Sequence, residues 1–151
     1  LSFREDEARD RVRAWFKKGW LTLLLLVPAA MLLADAEDRQ EREVGGVWCQ
    51  AVSHVNDPVW TGKFWYMSGW GLSEAETAIA EIGLSSELSI DWFRLRQKDY
   101  KKNASLAYTY IAYNWCPPWQ EVCYTSEHNF VVDERHVWKP RTRACIAVKG
   151  Q

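Results

Sequence analysis

Between Trp20 and Leu33 the chain carries no charge, and Thr22 is the one polar side chain in that stretch. No other feature constrains the fold as strongly, because an apolar run of this kind belongs in a bilayer or deep in a core. It is short against the roughly 20 residues that cross hydrocarbon, but its flanks extend it. Lys17 and Lys18 can lay their stems along the apolar region and keep their ammonium groups at the headgroups. Ala34-Asp35-Ala36 adds most of a helical turn on the other side. Pro28 would break a water-exposed helix, yet is tolerated as a kink in a membrane helix. Residues 19–36 are therefore expected to form one transmembrane helix, with Lys17, Lys18, Trp20 and Pro28 as its marking residues. A buried core helix and a cleavable signal are the competing readings, since Ala34-x-Ala36 fits the small-x-small cleavage rule. The long mixed-charge segment ahead of the run favours a retained anchor.

Ser2-Phe-Arg-Glu5 is a capping-box pattern, and Ala8, Val12, Trp15 and Phe16 recur at helical spacing. Residues 1–18 thus read as an amphipathic interfacial helix. Residues 37–46 read as a charged helical extension ending at the Gly45-Gly46 hinge, so that one long helix would run over residues 2–43. Arg4, Arg9, Arg11, Arg13, Lys17 and Lys18 precede the span, and Arg39 and Arg42 follow it closely. That bias puts the N-terminus on a cytoplasmic, matrix or stromal side. The rest would then face a periplasm, intermembrane space, lumen or exterior.

Residues 47–151 are expected to be an α+β domain built on a small antiparallel sheet with two short helices. Val47–Val55, 59–67, 106–115, 130–132 and 144–148 carry β-favouring residues. Ser73-Glu-Ala-Glu76 is a second capping box, opening a helix over 74–82. A further helix is expected over 87–101, where Leu88, Trp92, Leu95 and Tyr100 fall near one face.

Four cysteines, Cys49, Cys116, Cys123 and Cys145, all follow the apolar run. An even number on a non-cytoplasmic side points to two disulfides, and three pairings are open. Cys116–Cys123 with Cys49–Cys145 is the pairing we test; four free thiols are the alternative. The spacing of Cys116, Cys123, His128 and His136 is not a common zinc pattern, and neither a metal nor a cofactor is expected. No phosphate loop, dinucleotide fingerprint, nucleophile elbow or paired-histidine zinc motif is present, and the chain is not expected to be an enzyme. Gly69-Trp-Gly71 reads as a turn, Asp133-Glu-Arg-His136 as a solvated turn, and Asn103-Ala-Ser105 is a glycosylation sequon. A net charge of −1 gives no electrostatic case for nucleic acid.

Ten tryptophans are the remaining outlier. Trp joins a large apolar body to one N–H donor, and so concentrates in cores and in protein contacts. Trp60, Trp65 and Trp70 are the expected partner-contact residues, beside the bland expectation that they fill the core. These features together suggest a non-catalytic accessory subunit of a larger membrane complex, with other membrane subunits and the lipid bilayer as partners. A respiratory or photosynthetic energy-transducing assembly is the class this architecture suggests, on no residue's authority. The alternative is a membrane-tethered, aromatic-rich binding module for a glycan, lipid or soluble ligand. A thiol enzyme using Cys116 and Cys123 is a third reading.

Overall fold

A single antiparallel sheet folds on itself into a nearly closed barrel, in a computed structural model that describes residues 36–147. Its strands are β1 (Ala36–Val44), β2 (Val47–Val55), β3 (Val59–Trp60), β4 (Trp65–Ile90), β5 (Phe93–Trp115), β6 (Glu121–Val131), β7 (Val137–Trp138) and β8 (Arg141–Ala147). The β4–β5 hairpin organises the rest. Its strands, 26 and 23 residues long, far exceed the usual five or six, and each contributes to two walls. The first half of β4 pairs with β2 at Gly69–Ala75 and with the second half of β5. The second half of β4 pairs with the first half of β5 and with β6, which in turn pairs with β8.

The hairpin turns between walls where its register shifts. Glu74 faces Leu106 and Ile79 faces Ala104, which leaves surplus residues on β4. A bulge of this kind bends its strand sharply. Glu76, Thr77 and Ala78 are exposed there. The expected helix over 74–82 is thus replaced by a bulge, and Ser73-Glu-Ala-Glu76 caps nothing. The expected helix over 87–101 is likewise replaced by strand. Asp91, at φ 51°, and Trp92 form the turn of the hairpin, and Leu88 faces Leu95 across it. Local propensity favoured helix in both places, but tertiary pairing decided otherwise. Residues 82–90 do carry the deciding pattern, with Ile82, Leu84, Ser86, Leu88 and Ile90 all turned inward at period two.

These strands correct the α+β expectation to an all-β one, and the described residues contain no helix. The charged stretch read as a helical extension is β1, paired along its length with β2. Among the described residues no helix is long and apolar enough to cross a membrane. The expected span, with Lys17, Lys18, Trp20 and Pro28, lies outside them, as does the interfacial helix. The single-pass membrane localisation built on that span is corrected accordingly to a β-rich domain.

Two seams remain where the curled sheet does not close by backbone pairing, and side chains bridge both. Between β1 and β8, the Arg143 amide donates to Asp38 Oδ2 at 2.8 Å, and Gln40 Nε2 donates to the Arg141 carbonyl at 2.8 Å. Between the two halves of β5, the Tyr108 amide donates to Asp99 Oδ2 at 2.9 Å and the Tyr110 amide to Gln97 Oε1 at 2.8 Å. Each seam uses one carboxylate and one amide two residues apart, as the strand period requires. Edge groups that would otherwise template another strand are thereby satisfied. Asp99→Ala should cost about 1–2 kcal/mol in urea unfolding and speed hydrogen exchange at the Tyr108 amide.

The interior is layered. One apolar cluster contains Ala51, Ile82, Leu84, Ala107 and Phe130; the other contains Val55, Met67, Leu88, Ile90, Ile111, Val122 and Tyr124. Hydroxyl side chains separate them, because the inward positions of several strands step from apolar to hydroxyl to apolar at one level. Examples are Ala51-Ser53-Val55, Leu84-Ser86-Leu88 and Ala107-Thr109-Ile111. Tyr124 Oη donates to Thr109 Oγ1 at 3.0 Å, Thr109 Oγ1 lies 2.7 Å from Ser86, and Ser86 lies 2.8 Å from Ser126. Ser53 joins Ser126 at 2.9 Å and Thr142 at 2.7 Å. A slip of one residue in any of these strands would set hydroxyls against hydrocarbon, so the layer helps to fix register.

Candidate functional site: a tryptophan-lined end

The hydroxyl layer ends in a histidine. His128 Nε2 lies 2.8 Å from Thr142 Oγ1, and Nδ1 lies 2.8 Å from Ser73 Oγ. Ser73 donates its own proton to the Gly83 carbonyl at 3.0 Å. The ring proton therefore sits on Nδ1, and Nε2 accepts from Thr142. A serine touching a histidine invites a nucleophile–base reading, but this pair is sealed in the core, with Ser73 fully buried and His128 nearly so. Burial holds the imidazole down at about 4, which makes it a weak base, and the serine proton is already committed. The pair's work is structural.

A different chemistry appears where both ends of the long hairpin meet. Trp65 faces Trp115 across β4 and β5. Trp60, brought in by the short β3, lies 5.4 Å from Trp65, which in turn meets Trp119 edge-on at 5.9 Å. At the hairpin turn Trp92 meets Trp115 at 6.1 Å, and Phe93 packs on Tyr113 at 4.8 Å and Trp115 at 5.6 Å. Trp65, Trp115 and Trp119 also cover the second apolar cluster. Five of the ten tryptophans thus line one end, and they divide by depth. The inner three close the core, while Trp92 at 79% exposure and Trp60 at 47% face solvent. Ring pairs in this cluster are mostly tilted or perpendicular, an arrangement that aromatic quadrupoles favour and that leaves ring faces uncovered.

Polar groups at this end are largely spent on the chain itself. Asp91 Oδ1 accepts from the Gln120 and Glu121 amides at 2.9 and 3.0 Å, latching the turn to the loop before β6. Arg94 donates to the Asp91 and Phe93 carbonyls and pairs with Glu87. Trp115 Nε1 reaches the Pro118 carbonyl at 3.4 Å. The Trp92 and Trp60 rings stand outward from this braced end.

Of the three tryptophans expected to meet a partner, Trp60 and Trp65 belong to this end and Trp70 does not. Trp70 stands on the outer face of the first wall, stacked on His54 at 4.8 Å and 14°, with Tyr108 on its other side at 6.4 Å and 28°. Trp70 is half-buried between these neighbours on adjacent strands, and such cross-strand stacks stabilise sheets. Trp92, Trp115 and Trp119 were missed by sequence reasoning. Their placement depends on the turn at Asp91 and on the β4–β5 register, which no local stretch of sequence carries.

The cysteines pair differently from the expectation. Cys123 is bonded to Cys145, and Cys49 and Cys116 are free. Cys49 is buried at the level of the first apolar cluster, and its burial pushes the thiol up to about 11, which disfavours its thiolate. Cys116 is exposed in the loop after β5. Cys123 is committed to the disulfide and His128 to the core, and His136 pairs with Asp133 at 2.8 Å on the surface. The four-residue metal set therefore does not assemble. Gly69 and Gly71 lie inside β4 and not in a turn. Compared with known proteins, the chain matches no family model, no curated protein and no solved structure.

Proposed function

We propose that this domain is a non-catalytic recognition module that docks a protein partner through its tryptophan-lined end, as an accessory part of a larger assembly. The observation that carries this reading is Trp92, exposed at 79% on a turn that Asp91 and Arg94 brace from behind. A rigid exposed indole loses little entropy on binding, and tryptophan is the residue most typical of interface hot spots. A sugar site would need free, convergent hydrogen-bonding groups beside the ring. Here Asp91 and Arg94 are already bonded to backbone, so a protein surface with an apolar pocket fits better.

Native mass spectrometry of the chain isolated from its source without denaturation tests the proposal. A particle heavier than the 17.6 kDa of the chain, containing a second polypeptide, is the expected result. A solitary monomer, or indole fluorescence that responds to oligosaccharides, would overturn it. Trp92→Ala should leave urea stability within about 1 kcal/mol of the parent, because the ring is mostly in water, while removing the companion chain.

A further inference from the structure

The disulfide lies where β6 pairs with β8. Cys123 and Cys145 are direct partners across β6 and β8. Their neighbours Val122, Tyr124, Ala144 and Ile146 pack with the second apolar cluster, so strand alternation turns both sulfurs outward. The two differ in access, Cys145 being exposed and Cys123 buried. Arg143 Nη2 lies 3.4 Å from Cys123 Sγ, and Glu121 Oε1 lies 2.9 Å from the same sulfur. Arg143 and Glu121 also pair with each other at 3.2 Å.

We propose that this disulfide is a thiol-exchange site, opened by a dithiol reductant that attacks Cys145. Exchange needs a thiolate to reach the attacked sulfur in line with the bond, and only Cys145 offers that access. The incoming thiolate bonds to Cys145 Sγ as the S–S bond breaks, and the electron pair departs on Cys123 Sγ. That sulfur becomes a thiolate beside the Arg143 guanidinium, which stabilises it. The reductant's second thiol, once deprotonated, then displaces Cys145. The reductant leaves as its disulfide, and the protein gains two electrons and the two protons that the reductant gave up. Backbone pairing from Glu121–Ala147 to Glu127–Arg141 is independent of the bond, so the thiols stay opposed and can re-form it.

Glu121 works against Arg143, because a carboxylate beside sulfur disfavours the thiolate. The two side chains should therefore affect the rate in opposite directions. The test exposes the folded protein at pH 7.5, with Cys116 already capped by iodoacetamide, to reduced glutathione. Acid quenching and peptide mass mapping then locate the adduct. Glutathione on Cys145, with Arg143→Gln slowing its appearance roughly tenfold and Glu121→Gln accelerating it, is the expected result. Adduct on Cys123, no adduct until the protein is unfolded, or unchanged rates in both variants would overturn the proposal. Glu121→Gln keeps the test decisive if Arg143→Gln does not fold.

Discussion

Gly69→Ala is expected to destabilise the domain by about 3 kcal/mol, at the upper end for a single added methyl group. The position faces inward from β4, where a Cβ would press into the Tyr124 ring and come within 2.7 Å of the His54 carbonyl oxygen. Neither neighbour can retreat cheaply. Tyr124 is fully buried and tied through its hydroxyl to Thr109, and the His54 carbonyl is backbone of the adjoining β2. Gly71 is equally crowded, with Ser126 Oγ, Leu84 and Ser86 Oγ all within 2.8 Å of where its Cβ would be. These two positions let the walls approach closely enough for hydroxyl groups to meet across the interior. Urea midpoints of the parent and variant measure the effect. Combining Gly69→Ala with Tyr124→Leu should cost less than the sum of the two changes, because the second relieves the clash that the first creates.

The second large effect is a loss of stability in acid that traces to His128. Its folded-state value of about 4 lies below its ordinary 6.5 because burial penalises the imidazolium. Between those values the unfolded chain binds a proton that the folded chain does not. His128 therefore imposes no penalty above pH 6.5 and an increasing one as the pH falls toward 4. Roughly 2–3 kcal/mol should be lost between pH 7 and pH 4.5 from this group alone. Glu74 acts in the opposite direction, since desolvation raises its carboxyl above the usual range despite Arg39 nearby. Its contribution grows more favourable as the pH falls. Urea unfolding of the parent and of His128→Gln across this range separates the two. The variant should be less stable at pH 7, having lost part of the Ser73 and Thr142 bonding, but its acid slope should be flatter by the amount assigned to His128. Equal slopes would contradict this.

The legible and illegible parts of the fold have different physical origins. Val47–Val55 reads as a strand from composition and is one, because β-branched residues there agree with the tertiary pairing. Residues 106–115 were legible for the same reason and form the second half of β5. The first half of β5 was not legible. Lys98, Arg96 and Arg94 face water, Gln97 and Asp99 serve a seam, and the stretch therefore lacks a plain apolar alternation. In β4 the Ser-Glu-Ala-Glu bulge resembles a helix start, since small residues and carboxylates suit both situations. The hydroxyl layer was hidden for a further reason. Ser53, Ser86, Thr109 and Ser126 each look solvated in isolation, and only their shared level in the barrel makes them core.

The site was half visible. Abundant tryptophan pointed to contact surfaces or a core, and Trp60 and Trp65, two of the three named contact residues, lie 5.4 Å apart at one end of the barrel. Which rings show a face to solvent depends on the turn at Asp91 and on the β4–β5 register, and neither can be read from a local window. Trp70 shows the difference. It sits in the same aromatic stretch of sequence, yet alternation sends it to the other side of the sheet, where it stacks with His54 and Tyr108. The cysteine pairing escaped for a similar reason. Cys123 and Cys145 become direct neighbours only through the register of β6 on β8.

The most direct test of the docking surface compares Trp92→Ala with Trp70→Ala in the natively isolated assembly, with unfolding midpoints recorded for both. Trp92→Ala should lose the partner chain at nearly unchanged stability, and Trp70→Ala should lose stability but keep the partner. Retention of the partner by Trp92→Ala together with its loss from a folded Trp70→Ala protein would contradict docking through the tryptophan-lined end and place recognition on the outer face of the first wall.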